Sequence, residues 1–168
     1  TIYPQNIALA STFNPELAYL RATEISKELH YQGINQILAP CIDVVRDLRW
    51  GRIEESYGED PYLNGVMGTA LVRGFQGETL NDGKSVIATL RHFASYGWTE
   101  GGHNGGTAHI GERELEEAIF PPFREAVGAG ALSVMSSYNE IDGNPCTGSR
   151  YLLTDILKDR WQFKGFVV

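Results

Sequence analysis

The sequence predicts an α/β fold with a parallel sheet, and three observations predict it. The candidate strands are short, apolar and unalternating, as strands buried on both faces are. They alternate with longer stretches of helical apolar spacing. Charged and aromatic residues gather just after the strands, at the ends where parallel α/β folds hold their ligands. Two architectures fit, an open doubly wound sheet and a (β/α)8 barrel. The four strands found in this chain cannot close a barrel, so the barrel implies further units on one or both sides.

Asn14-Pro15 is an N-cap followed by proline in the first helical turn. Ala18, Ala22, Ile25 and Leu29 then mark one helical face, and Gly33 suits the stop. Residues 36–40, QILAP, read as the first strand. Asp60-Pro61 opens a second helix, with Leu63, Met67, Ala70, Leu71 and Gly74 on one face. Residues 86–90, VIATL, form the next strand. A helical stretch from Glu112 to Val127 should break or kink at Pro121-Pro122. Residues 132–136, LSVMS, read as a strand, and Ser149 caps a helix carrying Leu153, Leu157 and Trp161. The last segment, GFVV from Gly165 to Val168, is a turn residue followed by the start of a buried strand.

At 168 residues, 42% hydrophobic and 21% charged, the chain is long enough for a real core. The net charge of −7, without a basic cluster, speaks against nucleic acid as a partner. No apolar run approaches the roughly 20 residues of a membrane span. Cys41 and Cys146 are too few for a disulfide framework, so two free thiols are expected, with a single bridge as the alternative. The chain opens on Thr1 with neither Met nor a signal-peptide pattern, which reads as the middle of a longer sequence.

Several apparent motifs fail. Residues 77–85, GETLNDGKS, resemble a phosphate loop, but the glycine spacing is wrong and the segment runs into a strand, so a surface turn is expected. Residues 101–111, GGHNGGTAHIG, admit no dinucleotide fingerprint and read as a mobile loop. His103 and His109 lack the spacing of a zinc site, and no cysteine lies near them in the sequence. Ser136-Ser137 sits in no nucleophile elbow. No cofactor and no metal are expected.

The polar clusters say more. After the first strand come Asp43, Arg46, Asp47, Arg49, Arg52, Glu54, Glu55, Glu59 and Asp60, with Trp50 and Tyr57 among them. After the second come Arg91, His92, Tyr96 and Trp98, and after the third Ser137, Tyr138, Asn139, Glu140 and Asp142. A sugar suits this mixture. Its hydroxyls pair with carboxylates and guanidinium groups, and its C–H face rests on aromatic rings. A phosphate would ask for more net positive charge.

These segments also resemble a known family. APCIDVVRDLRWGRIEESYGEDPYL, TLRHFASYG, PPFREAV, SVMSSYNEIDGNP and LLTDILKDRWQFKGFVV, in this order over essentially the whole chain, are similar to glycoside hydrolase family 3, on its β-glucosidase/β-xylosidase side. The resemblance implies that residues 1–168 are a fragment of the N-terminal barrel domain, truncated at both ends, so that the fold is a partial (β/α)8 barrel. It implies substrate-binding roles for Arg52, which grips the sugar in the −1 subsite, and for Arg91-His92, which matches a pair that is usually Lys-His. It places Met135 and Tyr138 in the pocket wall and has Asp43 order the loop that presents Arg52. Arg49, Glu54, Glu55, Glu59 and Asp60 then serve as a salt-bridged loop scaffold.

In the family, GFVV runs into Ser-Asp, and that Asp is the catalytic nucleophile, so it is expected just after Val168. The proton donor belongs to a downstream domain. The resemblance therefore implies part of a retaining exo-β-glycosidase acting on terminal glucose or xylose, in a periplasmic or extracellular setting. The isolated fragment, lacking both carboxylates, is expected to be inactive. Its partners are an oligosaccharide or glycoside substrate and the remainder of the barrel and the C-terminal domain. A non-catalytic carbohydrate-binding module and a phosphorylase variant of the same family are the alternatives.

Overall fold

The computed structural model describes all of residues 1–168. Its helices begin where the caps predict. Asn14 accepts from the amides of Glu16 and Leu17 at 3.0 and 3.3 Å, opening α2 (Pro15–Tyr31) after a short α1 (Asn6–Ala10). Asp60 accepts from the Tyr62 amide at 2.9 Å and opens α3 (Pro61–Gln76). The α2 helix stops at Gly33, whose φ of 77° is the left-handed conformation, and the Ile34 amide closes back on Leu29 O at 3.0 Å.

Four strands form one parallel sheet in the order β1 (Gln36–Ile37), β2 (Ile87–Phe93), β4 (Ser133–Ser136), β7 (Phe166–Val167). Each new strand adds beside the previous sheet strand, as in a barrel built unit by unit. The registers are Gln36 opposite Ile87, Thr89 opposite Ser133 and Ser133 opposite Phe166. The predicted first strand is regular only over Gln36–Ile37. Its pairing continues irregularly, with Arg91 donating to Pro40 O at 3.1 Å and Ile42 donating to Arg91 O at 2.8 Å. A register shift also separates Leu90 from Phe93 on β2.

Helices cover the sheet. Ala18, Ala22, Met67 and Leu71 are buried as their spacing predicts, and α2 crosses α3 at Gly74. Under the sheet, Phe93 meets Phe123, Trp161 and Phe120 at ring separations of 5.1, 5.5 and 5.9 Å.

Two expectations need correction. The stretch from Glu112 does not break at Pro121-Pro122. A single α turn (α4, Glu112–Glu114) widens to π winding over Leu115–Ile119 and returns to α over Phe120–Gly128, α5. The prolines fall in the first turn of α5, where their missing donors are tolerated. The final helix, Tyr151–Arg160, is also π-wound, and Ser149 Oγ accepts from the Leu152 amide at 3.2 Å, as the cap predicts.

The glycine-rich segment is not a free loop. Its residues Thr107–Ala108 form β3, which pairs in parallel with β5 (Glu140–Ile141), and β5 pairs antiparallel with β6 (Asn144–Pro145). Gly102 explains part of the glycine content. A Cβ there would lie 2.5 Å from Trp50 N, so the segment presses directly against the loop that carries Arg52. Residues 77–85 form the expected turn, closed by Asp82 accepting from the Lys84 and Ser85 amides. Both cysteines are free and buried.

Candidate functional site

The loop after β1 is tied to the loop after β2. Arg46 donates its amide to Gly97 O at 3.1 Å, and a Cβ on Gly97 would lie 2.4 Å from Val44 O. This close seam brings Trp50 onto the edge of Tyr96, ring centroids 5.4 Å apart, with both rings buried. Beyond Trp50 the chain makes a 3-10 turn at Ile53–Glu55, which folds Glu55 back onto Arg52. Ser95, with φ 73°, turns the other loop so that Tyr96 faces the same place. The loop after β4 joins through Ser137, which donates its amide to Phe93 O at 2.7 Å, and through Asn139 Nδ2, which donates to Ser95 Oγ at 2.9 Å.

Arg52, Arg91, His92 and Tyr138 are thereby brought together. Arg52 donates Nε and Nη2 to the two oxygens of Glu55 at 2.6 and 3.1 Å. Arg91 donates Nη2 to Glu55 Oε2 at 2.7 Å, and its Nη1 lies 3.3 Å from His92 Nε2. The buried ring of Tyr96 lies beneath the group. The Arg52 guanidinium is 5.3 Å from it, the His92 ring 4.8 Å and the Tyr138 ring 5.7 Å. Tyr138, 64% exposed, also stands 5.9 Å from His92 and forms the outer wall. Met135 is half-buried on β4.

Asp43 is placed differently from the expectation. Its Oδ2 accepts from His92 Nδ1 at 2.9 Å, from the His92 amide at 3.1 Å and from Cys41 Sγ at 3.1 Å. It therefore orders His92 rather than the Arg52 loop. A carboxylate facing Nδ1 requires the proton there, so Nε2 is left to accept from Arg91. The carboxylate that meets Arg91 is that of Glu55. Glu55 and Tyr96 are the residues that sequence reasoning left out of the site. The spacing of Arg52 and Glu55 carried a signal, because residues three apart meet in a helical turn.

The charges follow from these contacts. Arg52, with Arg91 close by, holds the Glu55 carboxyl below the usual carboxylate range. Glu55 in turn holds the Arg52 guanidinium firmly charged. Two guanidinium groups around one carboxylate leave N–H donors that Glu55 does not use. Burial, and then the Asp43 carboxylate, push the Cys41 thiol well up. Cys41, Asp43 and His92 bring donor atoms within 4.8 Å of one another, and hydrogen bonds join them, Cys41 Sγ and His92 Nδ1 both donating to Asp43 Oδ2. Elsewhere, His109 bonds Asp142 at 2.8 Å, away from His92, and Arg49 pairs with Asp47 on the surface. Among the other acidic residues, Asp60 serves as the α3 cap.

A cleft of about 560 Å³ lies elsewhere, between β5–β6 and the final helix. Its lining includes Ile110, Leu115, Ile141 and Leu152, and it lacks the cation–aromatic arrangement above. The cluster of guanidinium groups and aromatic rings lies instead around Arg52, Arg91 and Tyr138.

Fold and site together define a segment of a parallel α/β barrel whose strand ends carry guanidinium donors over aromatic rings. Residues 1–168 match the description "Glycosyl hydrolase family 3 N terminal domain", and the chain belongs to that family. It is 45% identical over 172 residues to a beta-xylosidase of Formosa agariphila, covering 100% of this chain and 24% of that protein. It is 38% identical over 168 residues to the periplasmic beta-glucosidase of Salmonella typhimurium, covering 100% of this chain and 22% of that protein. Among solved structures it superposes with a TM-score of 0.98 and 37% identity on a mutant beta-glucosidase of Listeria innocua in complex with laminaribiose, over 100% of this chain and 24% of the other. The chain thus spans about a quarter of the length of these relatives.

Proposed function

We propose that this chain is the part of a retaining exo-β-glycosidase that holds the terminal sugar, in a protein that releases β-linked glucose or xylose. The observation that carries the reading is the pair of arginines on Glu55 beside His92 and Tyr138, set at the ends of parallel strands. Guanidinium N–H groups donate to sugar hydroxyls, and Tyr138 offers a ring edge or face to the C–H surface. The similarity to a beta-xylosidase and a beta-glucosidase supports glucosides and xylosides as the substrate class.

Hydrolysis with retention needs two carboxyl groups about 5–5.5 Å apart, one attacking the anomeric carbon and one serving as acid and base. In this reading both come from outside residues 1–168. The role of Arg52 and Arg91 is to fix the sugar ring and to strengthen their contacts as it flattens toward the oxocarbenium-like state, while His92, whose ring nitrogens meet Asp43 and Arg91, braces Arg91.

The test uses the full-length protein and aryl β-glucoside and β-xyloside substrates, with the product anomer followed by NMR. A β-anomer formed first, together with no turnover by the purified 168-residue chain, is the expected result. An α-anomer formed first overturns retention. Release of sugar 1-phosphate only when phosphate is present makes the protein a phosphorylase, and binding without turnover makes it a carbohydrate-binding module.

A further inference from the structure

We propose that Glu55 is the positioning residue of the sugar site: its single carboxylate fixes the guanidinium groups of Arg52 and Arg91 together, and through Arg91 it steadies the imidazole of His92. The inference rests on the glycosidase reading above and gives that site a residue on which its geometry depends.

The contacts are specific. Arg52 meets Glu55 through Nε and Nη2, a two-point contact that fixes the guanidinium plane as well as its position. Oε2 is shared with Arg91 Nη2 at 2.7 Å. The far side of Arg91 faces His92 Nε2, while Asp43 holds the opposite ring nitrogen. A continuous line therefore runs from Asp43 through His92, Arg91 and Glu55 to Arg52. Without the carboxylate, two like charges would stand side by side and each side chain would be free to swing away.

Burial separates this arrangement from an ordinary surface pair. Arg52 and Arg91 are each 21% exposed and Glu55 26%, whereas Arg49, paired with Asp47, is 74% exposed. Exposed pairs of the latter kind contribute little. Both oxygens of Glu55 are turned to the arginines, so its task is to aim donors. Arg52 keeps the N–H groups that Glu55 does not use, and these are the donors the carboxylate points at a ligand.

The experiment compares Glu55→Gln, Glu55→Asp, Arg52→Lys and the double variant Glu55→Gln/Arg52→Lys in the full-length protein, by kinetics on an aryl β-glucoside and by crystallography. Glu55→Gln is expected to lower kcat/KM by about tenfold or more, with a raised KM for the glucoside. Glu55→Asp, which keeps the charge, should recover part of that loss. The double variant should lose less than the product of the two single losses, since one part of the effect of Glu55 passes through Arg52 and the other through Arg91. Wild-type kinetics in Glu55→Gln, or a double variant equal to the product of the two single losses, overturns the proposal. If the Gln variant does not fold, Glu55→Asp decides: a raised KM at an unchanged Tm supports the role, and wild-type kinetics overturns it. Crystals of the folded Glu55 variant give a readout independent of turnover. Guanidinium groups that keep their places without the wild-type carboxylate overturn positioning, and displaced ones support it. A wild-type protein that neither hydrolyses β-glycosides nor binds glucose defeats the glycosidase reading instead, and the crystallographic result still judges Glu55.

Discussion

His92 is held from two sides, by Asp43 at Nδ1 and by Arg91 at Nε2, with only 1% of its side chain exposed. That burial changes what its removal should do. A side chain that merely lined a pocket could be truncated without harm to folding. Here His92→Ala leaves the buried Asp43 without its ring donor and opens a gap beside Tyr96. It should destabilise the protein by about 2–4 kcal/mol. The kcat/KM per folded molecule should also drop by about tenfold to a thousandfold. Thermal unfolding and kinetics on the same full-length preparation check this, and an unchanged Tm would contradict the buried relay. At this scale the sequence was partly legible. Arg52 and Glu55 fall in one turn, and Arg91 and His92 are neighbours. Glu55 and Arg91, however, are 36 residues apart, and their meeting depends on the seam at Gly97, which no local pattern announces.

Among the elements, the α2–α3 crossing is the tightest to alter. Gly74 lies where a Cβ would be 2.5 Å from Tyr19 O and 2.6 Å from the Ala22 methyl. Alanine would favour the helix by about 1 kcal/mol over glycine. The clash is with backbone, however, so α2 must move, and overpacking of this kind costs about 1–3 kcal/mol. Gly74→Ala should therefore lower stability by up to about 2 kcal/mol once both effects are counted, measured as the unfolding midpoint of the full-length protein. A variant more stable than wild type would show that the helices can part without loss. Helix starts were legible because Asn14, Asp60 and Ser149 cap by a local rule. The β3–β5 pairing was not, because two-residue strands have no periodicity and Thr107 meets Glu140 from far along the chain, whereas the β5–β6 hairpin turns at Asp142-Gly143, a local signal. The π winding at Leu115–Ile119 was hidden for a similar reason: the prolines announce a disturbance, while tertiary packing decides its form.

For the whole molecule, the four-stranded sheet has open edges at β1 and β7 in this structure. Leu38, Leu48, Phe166 and Val168 are exposed large apolar residues on or near that framework. An unpaired strand edge is a template for another chain, and apolar side chains beside it favour association. The purified 168-residue chain should therefore self-associate at concentrations near 10 μM, roughly the range in which exposed edges and apolar surface drive aggregation. Size-exclusion chromatography with light scattering checks it, and a monodisperse monomer would show that the edges are protected. The net charge of −7 works against association. No helix is long and apolar enough to cross a membrane.

The two buried sulfurs have a practical consequence for labelling. Burial drives Cys41 well above the ordinary thiol range and Cys146 to about 11, so neither offers an accessible thiolate at neutral pH. A cysteine introduced at an exposed position such as Tyr31 would be the one fast-reacting nucleophile of this segment toward maleimide. A dye, spin probe or surface tether could then be fixed there under native conditions, without first replacing either natural cysteine and without touching the Cys41 contact that supports Asp43.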